Sequence, residues 1–191
     1  MVRTAILLVA LSATVPAADT ALESAQRKIA LIEEDRAAPG SHVWLSLEEL
    51  NAYTRHVTKE AVPQGLRNPR LQLASGAATG YAFVDFLKVR ETKGSPPSGL
   101  VAWFLRGERP LEASARIQSA HGFATVYVQR VKISGITASS AVLDFLIENF
   151  LLPLYPEAKI GKPFALKHNV ERLEVGPAGV NVLIGSKLRQ R

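Results

Sequence analysis

Four histidines, His42, His56, His121 and His168, are the side chains of this chain best suited to acid–base or metal chemistry. A helical metal site of the metalloprotease kind needs two histidines four residues apart on one face, with a carboxylate in reach. No pair here has that spacing, so the four are read as surface or hydrogen-bonded residues. Carboxylates cluster at Glu33-Glu34-Asp35 and at Glu48-Glu49. Both clusters fall on helix faces expected to be wet, and solvated charge accounts for them. Gly76-Ala77-Ala78-Thr79-Gly80 is glycine-rich. It lacks the lysine–hydroxyl pair and following helix of a phosphate loop, and reads as a turn between strands. No serine stands in a Gly-x-Ser-x-Gly elbow. The chain has no cysteine, which excludes disulfides, thiol catalysis and thiolate metal sites. The sequence thus predicts no catalytic residue, no metal site and no cofactor. An enzyme would need a site assembled from distant residues, with convergent polar groups in a pocket.

The elements that would have to position such groups are legible from hydrophobic period. The 191 residues suit one domain with an appendage, and 47% hydrophobic with 21% charged residues is ordinary globular composition. The formal charge of +6 favours anionic partners. Basic residues are spread along the chain, with only a small tail cluster at Lys187, Arg189 and Arg191. Nucleic acid would call for a dense basic stripe with interleaved aromatics, so no nucleic-acid partner is expected.

Met1-Val2-Arg3 gives a positive start, Thr4 to Val15 is uncharged and mostly apolar, and Val15-Pro16-Ala17 ends on a small residue. This is the three-part layout of a secretory signal, and the run falls short of the roughly 20 apolar residues of a membrane-spanning helix. Residues 1–17 are therefore read as a signal peptide and 18–40 as an N-terminal helix. Residues 41–191 form the main domain, exported to the periplasm or the exterior.

Asp19 to Ala37 reads as a helix with Asp19 as N-cap, its stripe made by Leu22, Ala25, Ile29 and Ile32 and its end set by Pro39-Gly40. Ser46-Leu47-Glu48-Glu49 is a capping box that opens a second helix, apolar at Leu47, Leu50, Tyr53, Thr54 and Val57 and ending before Pro63. From Leu66 the period becomes two. Expected strands begin at Leu71 and Leu73 and continue over Tyr81 to Arg90, Leu100 to Leu105, and the half-wet run Leu111 to Gln118. After the His121-Gly122 turn comes a long strand, Phe123 to Ser134. A hairpin around Pro177-Ala178-Gly179 closes the chain. Between them, Ser139 to Leu152 reads as a helix capped by Ser139 or Ser140. It is apolar on nearly every side and interrupted only by Asp144, Glu148 and Asn149. Such a helix must be covered almost all round, either by a curved sheet or partly by an apolar cavity.

Three segments together resemble small bacterial secreted members of the tubular lipid-binding (TULIP) superfamily. They are Ser46-Leu47-Glu48-Glu49-Leu50-Asn51-Ala52-Tyr53, Lys132-Ile133-Ser134-Gly135-Ile136 before the apolar helix, and the closing stretch Val170 to Val180. The resemblance spans about residues 41–188. It departs at Thr137-Ala138, where such families often place a proline. It implies an α+β fold in which a long, highly twisted antiparallel sheet wraps on the apolar helix, with N-terminal helices alongside. It also implies an apolar groove for acyl chains, lined by Phe83, Phe86, Trp103, Phe104, Leu143, Phe145, Ile147, Phe150 and Leu151. Lys132, Lys159, Lys162 and Lys167 would meet a head group. The implied function is non-enzymatic binding of a lipid or other apolar molecule, extending to lipid transfer in the cell envelope, with transient contact to an anionic membrane surface. The alternative is an envelope interaction module of the same fold whose core is filled.

Overall fold

Helical spacing gives way to alternation near Leu66, and the elements divide there. The computed structural model describes residues 17–61, 65–86, 88, 107–152 and 159–186. Helix α1 (Ala17–Glu33), strand β1 (His42–Ser46) and helix α2 (Leu47–Ala61) come first. Strands β2 (Leu66–Ala74), β3 (Ala77–Asp85), β4 (Glu108–Ala120), β5 (Phe123–Ile133) and β6 (Ile136–Thr137) then pair in sequence order as an antiparallel sheet. Strand β7 (Phe164–Ala165) adds to the start of β5. Helix α3 (Ser140–Leu146) lies between β6 and β7 in the chain and continues into one π-helical turn, Ile147–Leu151. Strands β8 (Val170–Gly176) and β9 (Gly179–Ile184) form the closing hairpin. The fold is α+β, with the larger sheet packed on the apolar helix as expected.

Strand β9 pairs with β1, making a second sheet in the order β1-β9-β8. Its inner face, with Val43, Leu45, Val182 and Ile184, packs under Ile29 and Ile32 of α1 and Leu50 of α2. The free edge of β8 is covered by the turns of the large sheet. Gly76 N donates to the Val175 carbonyl at 2.9 Å and Gly122 N to that of Glu171 at 2.8 Å. Ser119 Oγ accepts from Leu173 N at 2.7 Å and donates to its carbonyl at 2.8 Å. Edge β2 is guarded differently. Asn51 of α2 accepts from Leu71 N at 2.7 Å and donates to the Leu71 carbonyl at 3.2 Å, imitating a neighbouring strand.

Bulges keep the apolar face of the large sheet continuous. Ser114 pairs with Arg130 but Ala115 with Val128, so Gln129 is an extra residue in β5. Two polar residues in succession, Gln129 and Arg130, would otherwise invert the alternation; the bulge puts Val128, Val131 and Ile133 on one face and increases local twist. Two-residue turns at His121-Gly122 and Ser134-Gly135 have positive φ at both positions, the hairpin geometry that matches strand twist.

Several expectations are corrected. Helix α1 already includes Asp19, which is therefore no N-cap, and it ends at Glu33 rather than Ala37, because Asp35 turns left-handed at φ 52°. Strand β1 was not expected; its short His42–Ser46 run carries no period long enough to read and gains its partner only from the distant β9. The glycine-rich stretch turns only at Ser75-Gly76, and Ala77 to Gly80 already belong to β3. The strand expected over Tyr81 to Arg90 ends at Asp85. The apolar run 4–15, the turn 94–99, the strand 100–105 and the basic tail lie outside the described residues.

Candidate ligand cavity

The large sheet meets α3 through a floor of small side chains. Ala78, Gly80 and Ala82 of β3 stand opposite Ala115, Ala113 and Leu111 of β4. A helix resting on such a floor is held off by its own leucines and leaves space beneath. That space is a cavity of about 300 Å³. Ala113 and Ala115 form its base, Leu66, Val84, Phe86, Leu111, Val128 and Val131 its sides, and Leu143, Leu146, Ile147 and Leu151 its roof. Ser114 is the one polar residue of the lining, and its hydroxyl is engaged with that of Thr79 at 3.1 Å.

The roof is set by local chain geometry. Ala138 N donates to the Val131 carbonyl at 2.8 Å, tying the start of the helix to β5. Ser139 has the extended backbone of an N-cap, φ −70° and ψ 166°, without a side-chain cap bond. Leu152 N then reaches back five residues to the Ile147 carbonyl, which defines the π turn. Ile147 and Leu151 at the two ends of that turn both line the cavity.

Of the residues expected to form a groove, Phe86, Leu143, Ile147 and Leu151 come together here. Phe145 packs against the same apolar cluster without lining the space. Phe83 faces the other way. It pairs across β4 with Pro110 and is 41% exposed, because register places its neighbour Val84 inward. Trp103, Phe104 and the side chain of Phe150 lie outside the described residues. The lysines do not gather at the cavity. Lys132 pairs with Glu112 at 3.4 Å, and Lys159, Lys162 and Lys167 are exposed around β7. The small residues of the floor were missed, since a search for large apolar side chains overlooks the positions whose smallness makes room. The alternation Leu111, Ala113, Ala115, opposite a nearly all-apolar helix, was the available signal.

A second constellation is polar. Glu49 is buried rather than solvated, which corrects the reading of Glu48-Glu49 as surface charge; Glu48 alone is exposed. The capping box forms, with Glu49 N donating to Ser46 Oγ at 3.1 Å and Ser46 N to Glu49 Oε2 at 2.7 Å. From α1, Ser24 Oγ and Lys28 Nζ both donate to Oε1, at 2.5 and 2.6 Å. Burial is the largest single influence on this carboxyl and pushes its pKa up. The bonds from Lys28, Ser24 and Ser46, with the Lys28 charge, outweigh it and hold the pKa at about 2. Both oxygens are occupied, so the group acts as a clamp between α1 and α2.

The histidines stand apart from one another. His42 meets Asn181 at 2.9 Å, while His56, His121 and His168 approach Glu60, Glu171 and Asp35 at 3.3, 3.8 and 3.9 Å. Among the described residues, no three metal-ligating side chains gather as a metal would require, and no helix is long and apolar enough to cross a membrane. Comparison with protein-family models, with curated proteins and with solved structures finds no match to this chain.

Proposed function

We propose that this chain is an exported, non-enzymatic protein that binds an apolar ligand, such as the hydrocarbon part of a lipid, between α3 and the large sheet. The cavity carries the reading, with about 300 Å³ of space and a lining of apolar residues except for Ser114. An engineered apolar cavity of about 150 Å³ in another protein accepts benzene, so this one suits roughly a dozen carbons. At about 0.8 kcal/mol per methylene, their burial is worth roughly 10 kcal/mol relative to water. A bilayer offers a hydrocarbon chain much the same environment, so exchange between the two runs at small net free energy. The secretory layout of residues 1–17 and the resemblance to tubular lipid-binding proteins support the same reading.

Native mass spectrometry of protein isolated from an envelope fraction without detergent tests it. The expected result is a stoichiometric adduct of lipid mass that disappears in Ala115→Phe, a change that fills the floor. A clean apo mass with no uptake from added liposomes overturns the proposal and leaves the interaction module with no ligand.

A further inference from the structure

The opposite face of the large sheet carries a different surface. Arg116 of β4 pairs across the sheet with Tyr127 of β5, and Ala120 with Phe123. Phe123 and Tyr127 are 53% and 42% exposed. Beside them along β5 runs the segment that holds Lys159 and Lys162, tied in by the pairing of Ile160 with Val126 and of Ala165 with Phe123. Elsewhere on this face the cations are engaged. Arg67 binds Glu108, Arg130 and Lys132 bind Glu112, and Arg70 sits 4.8 Å above the Tyr81 ring. Arg116, Lys159 and Lys162 are exposed and enter no ion pair among the described residues. Neither residues 114–130 nor residues 159–170 contain an acidic side chain.

We propose that this face, with Phe123 and Tyr127 ringed by Arg116, Lys159 and Lys162, docks on the surface of an anionic phospholipid bilayer. Aromatic rings with an apolar body settle at the head-group level, and lysine and arginine near an anionic leaflet each add attraction. Three cations dispersed around two rings suit a head-group layer better than a duplex, which calls for a dense basic stripe. Docking on this face leaves the cavity, on the other side of the sheet, unobstructed, and the proposal does not rest on what the cavity holds.

The absence of cysteine permits a site-specific test in the full chain. An environment-sensitive fluorophore is placed at Tyr127→Cys, at Phe123→Cys, or at Glu23→Cys as a control on the exposed side of α1. Vesicles of phosphatidylglycerol mixed with phosphatidylcholine are then added. The expected result is a blue shift and protection from aqueous quencher at positions 127 and 123 but not 23. The shift should weaken with added salt and be absent with phosphatidylcholine alone. Each cation removed should raise the half-saturating lipid concentration about fivefold, so R116E with K159E and K162E should raise it by about a hundredfold or more. Circular dichroism checks that the variants stay folded. No shift at 123 and 127, an equal shift at 23, or no response to charge reversal overturns the proposal. A shift caused by duplex DNA and not by vesicles would also overturn it. Because the readout is local, binding through the apolar N-terminal segment does not imitate it, and Ala115→Phe should leave it unchanged.

Discussion

Replacing Glu49 with glutamine should remove a pH-dependent part of stability whose size follows from the clamp. The carboxyl titrates near 4.5 in an unfolded chain and at about 2 in the folded protein. At about 1.36 kcal/mol per unit this is roughly 3.4 kcal/mol. Lys28 keeps about a third of its side chain in water, at 34% exposure, and solvent screening brings the expected effect to about 2 kcal/mol. Because the folded value is the lower one, the stabilisation is complete above about pH 4.5 and is lost as pH falls toward 2. Urea unfolding followed by circular dichroism, on both proteins from about pH 7 to about pH 2.5, reads the difference directly. Glutamine keeps the shape and turns one acceptor oxygen into an NH2 group, much as protonation turns one into O–H, so the comparison sets the ionised carboxylate against a neutral counterpart. The two proteins should differ by about 2 kcal/mol at neutral pH and converge in acid. A gap of the same size at both ends, or none at pH 7, would refute the argument that the ionised clamp holds α1 against α2.

Other changes probe separate features. Asn51→Ala uncaps both backbone groups of Leu71 and should lower stability by about 1–3 kcal/mol, with faster amide exchange confined to β2. Gly179→Ala would set a methyl group into the Leu45 carbonyl and 2.8 Å from the Trp44 ring, and a loss above about 2 kcal/mol in denaturant titration is expected. Ala113→Leu should cost less than about 1 kcal/mol, because the added carbons enter existing space; a loss of about 3 kcal/mol would indicate a closely packed floor. N-terminal sequencing of protein recovered outside the cytoplasm should begin at Ala18, and an intact Met1 there would contradict cleavage.

What was legible in the residues alone is what depends on neighbours a few positions away. Leu111 to Gln118 alternates, and β4 forms there; Ser46 and Glu49 stand three apart, and the capping box closes. The apolar stretch after Ser139 is helical for the reason its sequence suggests, with only the switch to π spacing at Ile147 added. Tertiary structure decided whatever depends on distant partners. His42 finds Leu183 across the whole chain, which turns an unremarkable pentapeptide into a strand. Glu49 is buried because Ser24 and Lys28 arrive from another helix, a meeting that no local pattern encodes. Phe83 and Phe86 look alike as sequence, but register and strand end send one to solvent and the other to the cavity wall. The cavity itself is a property of two surfaces at once: alanines in β4 mean only small side chains until α3 is laid over them, and the space exists only because the leucines above cannot reach the floor.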